Sequence, residues 1–198
     1  MGEPRHLSFV RALRGADYLT IGNGMCGVLA VLAAVRYAGH PDGRALVAAL
    51  VLVLMGLACD FLDGRVARMR GEASALGGQM DSLADLVTFG VAPAALAYAL
   101  GLDRTGDAVA LAFFALCGLG RLARYNVTAA TLADGRGKVP YFEGTPITFG
   151  VVPLIVVLAL HRAGHLGAMA EVPLHLASLA FVASGMAMIS KTIRIPKP

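Results

Sequence analysis

This sequence has little charge. Asp, Glu, Lys and Arg together make up 15% of its 198 residues, against about 25% in an ordinary soluble domain. A soluble domain of this length needs more polar surface to cover its core, so a soluble globular protein is excluded. Cysteine is scarce as well. Cys26, Cys59 and Cys117 are odd in number and sit inside apolar runs, which excludes a disulfide framework and marks them as small buried residues. No internal repeat and no low-complexity tract is visible. About 18 mostly polar residues precede the first apolar run without a short hydrophobic region and cleavage site, so no cleavable signal is expected. What the chain has instead is apolar surface, 57% of residues with a mean hydropathy of +0.69. That much excludes disorder. Its 24 glycines suit close helix contact in lipid. An integral membrane protein follows.

Six apolar runs are present, at roughly 19–38, 45–62, 82–102, 107–127, 147–163 and 171–190. Several approach the ~20 residues a helix needs to cross a bilayer core, and none alternates in polarity as a transmembrane strand would. The expected fold is all-α, with six transmembrane helices. Residues 1–18 form a juxtamembrane segment, 19–190 the six-helix domain and 191–198 a tail. Within the first segment, Leu7, Val10, Leu13, Arg11 and Arg14 recur at helical spacing, which predicts a short amphipathic surface helix over 7–17.

Basic residues set the orientation. Of 17 Lys and Arg, 13 fall in the N-terminal segment, the second-to-third and fourth-to-fifth connections and the C-terminus. Arg36, Arg44, Arg104 and Arg162 are left for the other side. The asymmetry places both termini in the cytoplasm, in a multi-pass protein of the cell membrane. It also explains the net charge of +4 without nucleic acid as a partner.

The acidic residues are grouped. Asp60 and Asp63 are spaced i, i+3 and Asp81 and Asp85 i, i+4, so each pair shares one helix face. In the second run 15 residues precede Asp60, about 22 Å of helix; in the third, 17 follow Asp85, about 25 Å. Two antiparallel helices therefore bring both pairs to a similar level, inside the cytoplasmic edge of the membrane. One Asp costs about 2.5–3.5 kcal/mol at mid-membrane, less near the edge. Four that repel one another need cations between them, and two hard divalent cations with oxygen ligands would neutralise all four. Gly64 leaves room for a ligand against the backbone, Ala67 is small on the same side, and Arg68 can pair with a phosphate. Gly71, Gly77 and Gly78 suit a turn between the two helices. Metals beside arginine suggest phosphoryl chemistry on a diphosphate.

The string D-x2-D-G-x2-A-R-x8-G-x3-D-x3-D, running from Asp60 to Asp85, resembles the full signature of the CDP-alcohol phosphatidyltransferases. The resemblance implies six transmembrane helices, a homodimer, and displacement of CMP from a CDP-linked lipid by an alcohol. By position it implies that Asp60, Asp63, Asp81 and Asp85 hold two divalent cations, Mg²⁺ or Mn²⁺, with Asp85 also the general base. Gly64, Ala67, Arg68 and Gly77 would line the CDP-lipid site, together with Ser74 and Asn23.

Three further stretches resemble the branch of that family that uses L-serine with CDP-diacylglycerol. They are ADYLTIGNGMCG (16–27), RLARYN (121–126) and MISKTIR (188–194). One departure is EGTP (143–146), where that branch more often has Gly-Leu-Pro. Serine carries a carboxylate, which Arg121 or Arg124, i and i+3, could clamp bidentately, with Asn126 beside them. The same arginines also suit positive-inside anchors or lipid-phosphate contacts. Lys138, Glu143 and Thr145 lie in the same connection. Glycerol 3-phosphate and an inositol phosphate are the alternative acceptors. A divalent-cation transporter is the alternative of another class, although it predicts a midplane site and repeated halves. His161 and His165 read as interface histidines, Pro93 as a kink in the third helix, and Gly22, Gly24, Gly27, Gly118 and Gly120 as close-contact sites.

Overall fold

The computed structural model describes residues 13, 15–70, 75–133, 141–166, 174–192 and 194–196. Its framework is helical. Helices α1 (Gly15–Gly39) and α2 (Gly43–Arg70) form an antiparallel pair. Between them the chain turns at Asp42, whose carboxylate takes the Arg44 N–H at 2.9 Å and caps α2. The outward faces of both helices are as apolar as the inward ones. Met25, Val28, Leu32 and Val35 on α1, and Val47, Val51, Leu54 and Met55 on α2, are all exposed. Helices apolar on every face belong in lipid.

The third span is built from three pieces: α3 (Ala75–Asp85), a π-helical turn (Leu86–Val91) and α4 (Ala92–Ala99). Pro93, expected to kink this helix, follows the π turn in the first turn of α4. A proline has no N–H for the carbonyl four residues back. The wider winding, with Ala92 N–H bonded to Val87 O, absorbs the interruption. Gly150 packs against the Phe89 carbonyl that Pro93 cannot serve, at a distance that admits no Cβ. Among the described residues, helix α5 (Thr105–Ala133) completes a set of four spans long and apolar enough to cross a membrane, the others being Gly15–Gly39, Gly43–Ala67 and Leu76–Ala99. The chain is a multi-pass membrane protein. The predicted runs at 147–163 and 171–190 correspond to shorter apolar helices: a 3₁₀ turn (Ile147–Gly150) leading into α6 (Val151–Arg162), and α7 (Ser178–Ile189).

Several boundaries differ from expectation. Helix α1 begins at Gly15, so residues 15–17 belong to the first span; the rest of the predicted amphipathic helix, apart from Leu13, lies outside the described residues. Gly77 and Gly78 stand inside α3 and not in a turn, because helix resumes by Ala75. Among the described residues a Cβ at Gly120 would meet nothing within 4 Å, whereas one at Gly22, Gly24, Gly27 or Gly118 would meet a neighbouring element. A small departure from all-α is an antiparallel pair of three-residue strands, β1 (Tyr141–Glu143) and β2 (Arg194–Pro196), with Phe142 opposite Ile195.

The interior holds Phe89, Leu96, Ile147, Leu154 and Val157, and an edge-to-face pair of Phe114 and Phe181 with centroids 5.1 Å apart ties α5 to α7. The two ends of the bundle differ. One joins the start of α1, the end of α2, the start of α3, the end of α5 and the 3₁₀ turn. At the other, the Tyr37 hydroxyl meets His161 at 3.3 Å, and Asp107 at the start of α5 meets His175 just before α7 at 2.6 Å.

Candidate active site

Helix α2 passes straight through the acidic motif, and α3 returns antiparallel to it. Asp60, Asp63 and Asp81 each bring a carboxylate oxygen within 4.8 Å of the other two. Among the described residues this is the one group of three or more His, Cys, Asp or Glu close enough to hold a metal ion. Asp81 Oδ1 is buried and has no hydrogen-bond partner among the described residues. Hard oxygens crowded together with one left unsatisfied form a donor set suited to a divalent cation.

Asp85 stands beside this group, interacting electrostatically with Asp60, Asp81 and Asp63. Its Oδ1 accepts a hydrogen bond from Asn23 Nδ2 at 3.0 Å. Asp63 is braced from the same helix: the Thr20 hydroxyl donates to its Oδ2 at 2.8 Å. Thr20 and Asn23 are i, i+3 on α1, so one face of that helix addresses one carboxylate from each acidic pair.

A cavity of about 210 Å³ opens on the cluster, lined by Asp60, Asp81, Ser82, Asp85, Arg121, Tyr125 and Thr148 among others. Arg121 is half-buried there, facing Asp85, and its Nε has no hydrogen-bond partner among the described residues. Arg124, one turn further on, points elsewhere and donates to the Ile189 carbonyl of α7 at 3.2 Å. Asn126 is engaged within the end of the bundle, accepting from Ser82 Oγ at 3.0 Å and donating to Gln79 Oε1 at 3.3 Å.

The remaining expected site residues fall as follows. Gly64 is exposed, and a Cβ there would meet nothing within 4 Å among the described residues; Ala67 is half-buried on the same helix. Gly77 is half-buried in the first turn of α3. Asn23, expected on the nucleotide side, is fully buried, and its Nδ2 donates to Asp85. The side chain of Arg68 lies outside the described residues, as do Ser74, Lys138 and the side chain of Glu143. Thr145 is separate from the acidic cavity. Its N–H bonds the Ala187 carbonyl at 3.2 Å, and it lines an apolar groove between α6 and α7. Gly144 before it has φ +77 and sits against the Met188 carbonyl, a position open only to glycine. Thr20, Ser82, Tyr125 and Thr148 escaped sequence reasoning. Thr20 had a signal in its i, i+3 spacing to Asn23, and Tyr125 in its i, i+4 spacing to Arg121.

This geometry agrees with a family match over residues 14–189: the chain belongs to the CDP-alcohol phosphatidyltransferases. It is 41% identical over 207 aligned residues to a CDP-diacylglycerol–serine O-phosphatidyltransferase of Saccharomyces cerevisiae, covering 99% of this chain and 75% of the relative. A protein of the same name from Bacillus subtilis is 36% identical over 70% of this chain and 72% of its own. An archaetidylserine synthase of Methanothermobacter thermautotrophicus is 38% identical, over 70% of this chain and 54% of its own. No solved structure matches the chain.

Proposed function

We propose that the chain transfers the phosphatidyl group of CDP-diacylglycerol to L-serine, releasing CMP and forming phosphatidylserine. The observation that carries this is the convergence of Asp60, Asp81, Asp85 and Arg121 on one cavity, with Asp63 grouped against Asp60 and Asp81. Relatives named for the same reaction support the choice of serine.

Asp60, Asp63, Asp81 and Asp85 would hold two divalent cations, Mg²⁺ or Mn²⁺, which would supply positive charge against the diphosphate and the departing CMP. Asp85 accepts the proton of the serine hydroxyl as its oxygen forms the bond to the lipid-linked phosphorus and the bond to CMP breaks. Asn23 holds that carboxylate in place. Arg121 receives the serine carboxylate, for which a planar fork is the best cation, while Arg68, Gly64, Ala67, Ser74 and Gly77 line the CDP side. Six transmembrane helices, the two short ones included, carry a site that faces the cytoplasm. In support, the acidic cluster shares its end of the bundle with the Arg65–Arg70 and Arg121–Arg124 clusters. The protein works as a homodimer in the cell membrane, as the family resemblance implies.

All four carboxylates gather at one end of the bundle, which supports an enzyme over a transporter with a midplane site. The test is to give the purified protein CDP-diacylglycerol and Mn²⁺ with serine, glycerol 3-phosphate, inositol phosphate or choline in parallel. CMP release with serine alone is expected. Preference for a phosphorylated acceptor overturns the assignment of serine.

A further inference from the structure

Thr88 lies three residues after Asp85, in the π turn, and is fully buried. Its hydroxyl donates to the main-chain carbonyl of Asn23 at 2.9 Å. Its backbone and methyl press into gaps left by two glycines on two helices. A Cβ at Gly27 of α1 would lie 2.9 Å from Thr88 N and Cα, and one at Gly56 of α2 would lie 2.5 Å from Thr88 Cγ2. Both branches of the side chain are therefore used, the methyl against α2 and the hydroxyl against α1.

Asn23 is held from two directions. Its carbonyl takes Thr88, and its amide Nδ2 gives to Asp85. Its Oδ1 is buried without a hydrogen-bond partner among the described residues, and a Cβ at Gly56 would come within 3.0 Å of it. The contacts close a ring: Asp85 side chain, Asn23 side chain, Asn23 main chain, Thr88 side chain, and the π turn back to Asp85. A π turn is a rare winding that recurs at functional sites. Here it presents Thr88 to α1 within one turn of Asp85.

We propose that Thr88 is a positioning residue for Asp85. By fixing the α1 main chain at Asn23, it sets the amide that aims the Asp85 carboxylate into the acidic cluster. Partners that orient a metal-ligating or catalytic group typically matter by 10–100-fold. The inference rests on the reading of Asp85 given above.

The experiment compares wild type with Thr88→Ser, Thr88→Cys and Thr88→Val, which keep, weaken and remove the hydroxyl-type donor. Two readouts are taken: kcat and KM for CMP release, and Mn²⁺ binding by electron paramagnetic resonance without substrate. Expected for Thr88→Val is a fall in kcat of about 10–100-fold, with KM for L-serine and for CDP-diacylglycerol within about twofold and Mn²⁺ binding weakened. Thr88→Ser restores most of kcat and Thr88→Cys falls between. The Ser-over-Cys comparison holds even if the valine variant does not fold. A flat or reversed order, or Mn²⁺ binding equal to wild type in every variant, overturns the proposal. Wild type that binds Mn²⁺ but transfers to no acceptor overturns the functional reading instead, and the Mn²⁺ titration still decides the role of Thr88.

Discussion

The Asn23 amide donates to Asp85 across 3.0 Å, joining the fully buried first-helix side chain to a carboxylate of the third span that lines the acidic cavity. A carboxylate beside three others has no reason to keep one orientation unless a donor holds it. Asn23→Ala removes that donor and lowers CMP release by about 10–100-fold. Asn23→Asp, which puts a fifth carboxylate in its place, does worse. Steady-state CMP assays on the two variants, with circular dichroism as the check on folding, measure this.

The donor set of Asp60, Asp63 and Asp81 makes the second prediction one of metal demand. Each Asp→Asn change removes one charge and one ligand oxygen from a group packed within 4.8 Å. Chelation of wild type with EDTA abolishes transfer, and Mn²⁺ restores it. The Asp→Asn variants need at least about tenfold more Mn²⁺ for half-maximal activity. A metal titration of initial rates reads it out.

Arg121 and Arg124 are one helical turn apart and do different work. Arg121 lines the acidic cavity, while Arg124 braces α7 through the Ile189 carbonyl. Arg121→Lys keeps the charge and loses the planar fork, so KM for serine rises about tenfold while KM for CDP-diacylglycerol holds. Arg124→Lys leaves both constants near wild type. Substrate-saturation curves for the two variants separate the roles.

The pair at the opposite end predicts a stability effect without a catalytic one. Asp107 is fully buried, and its carboxylate takes the His175 ring at 2.6 Å, the His175 N–H at 2.8 Å and the Arg104 N–H at 3.2 Å. His175→Ala deletes the ring partner and costs about 1–3 kcal/mol. A lower Tm in detergent micelles with unchanged kcat is the expected outcome.

What the sequence made legible is what short spacing can carry. Asp60 with Asp63, and Asp81 with Asp85, sit on shared helix faces whatever the tertiary fold, so the acidic cluster was visible as two local pairs. The long apolar runs likewise announced the helices, because each must satisfy its own backbone in lipid. Contacts between distant residues left no such trace. Nothing in the periodicity links Asn23 to Asp85 or Asp107 to His175. Pro93 marked an interruption, but a single π turn and a simple kink share one sequence signal. Gly120 shows the converse limit: a glycine in an apolar helix reads the same whether or not a neighbour presses on it.

The most direct measurement follows labelled L-serine into lipid alongside CMP. Purified protein with CDP-diacylglycerol and Mn²⁺ should form labelled phosphatidylserine and CMP in equal amounts, and Asp85→Asn should form neither while keeping its helical content. CMP release without serine, or an Asp85→Asn variant that labels lipid at the wild-type rate, would contradict the account.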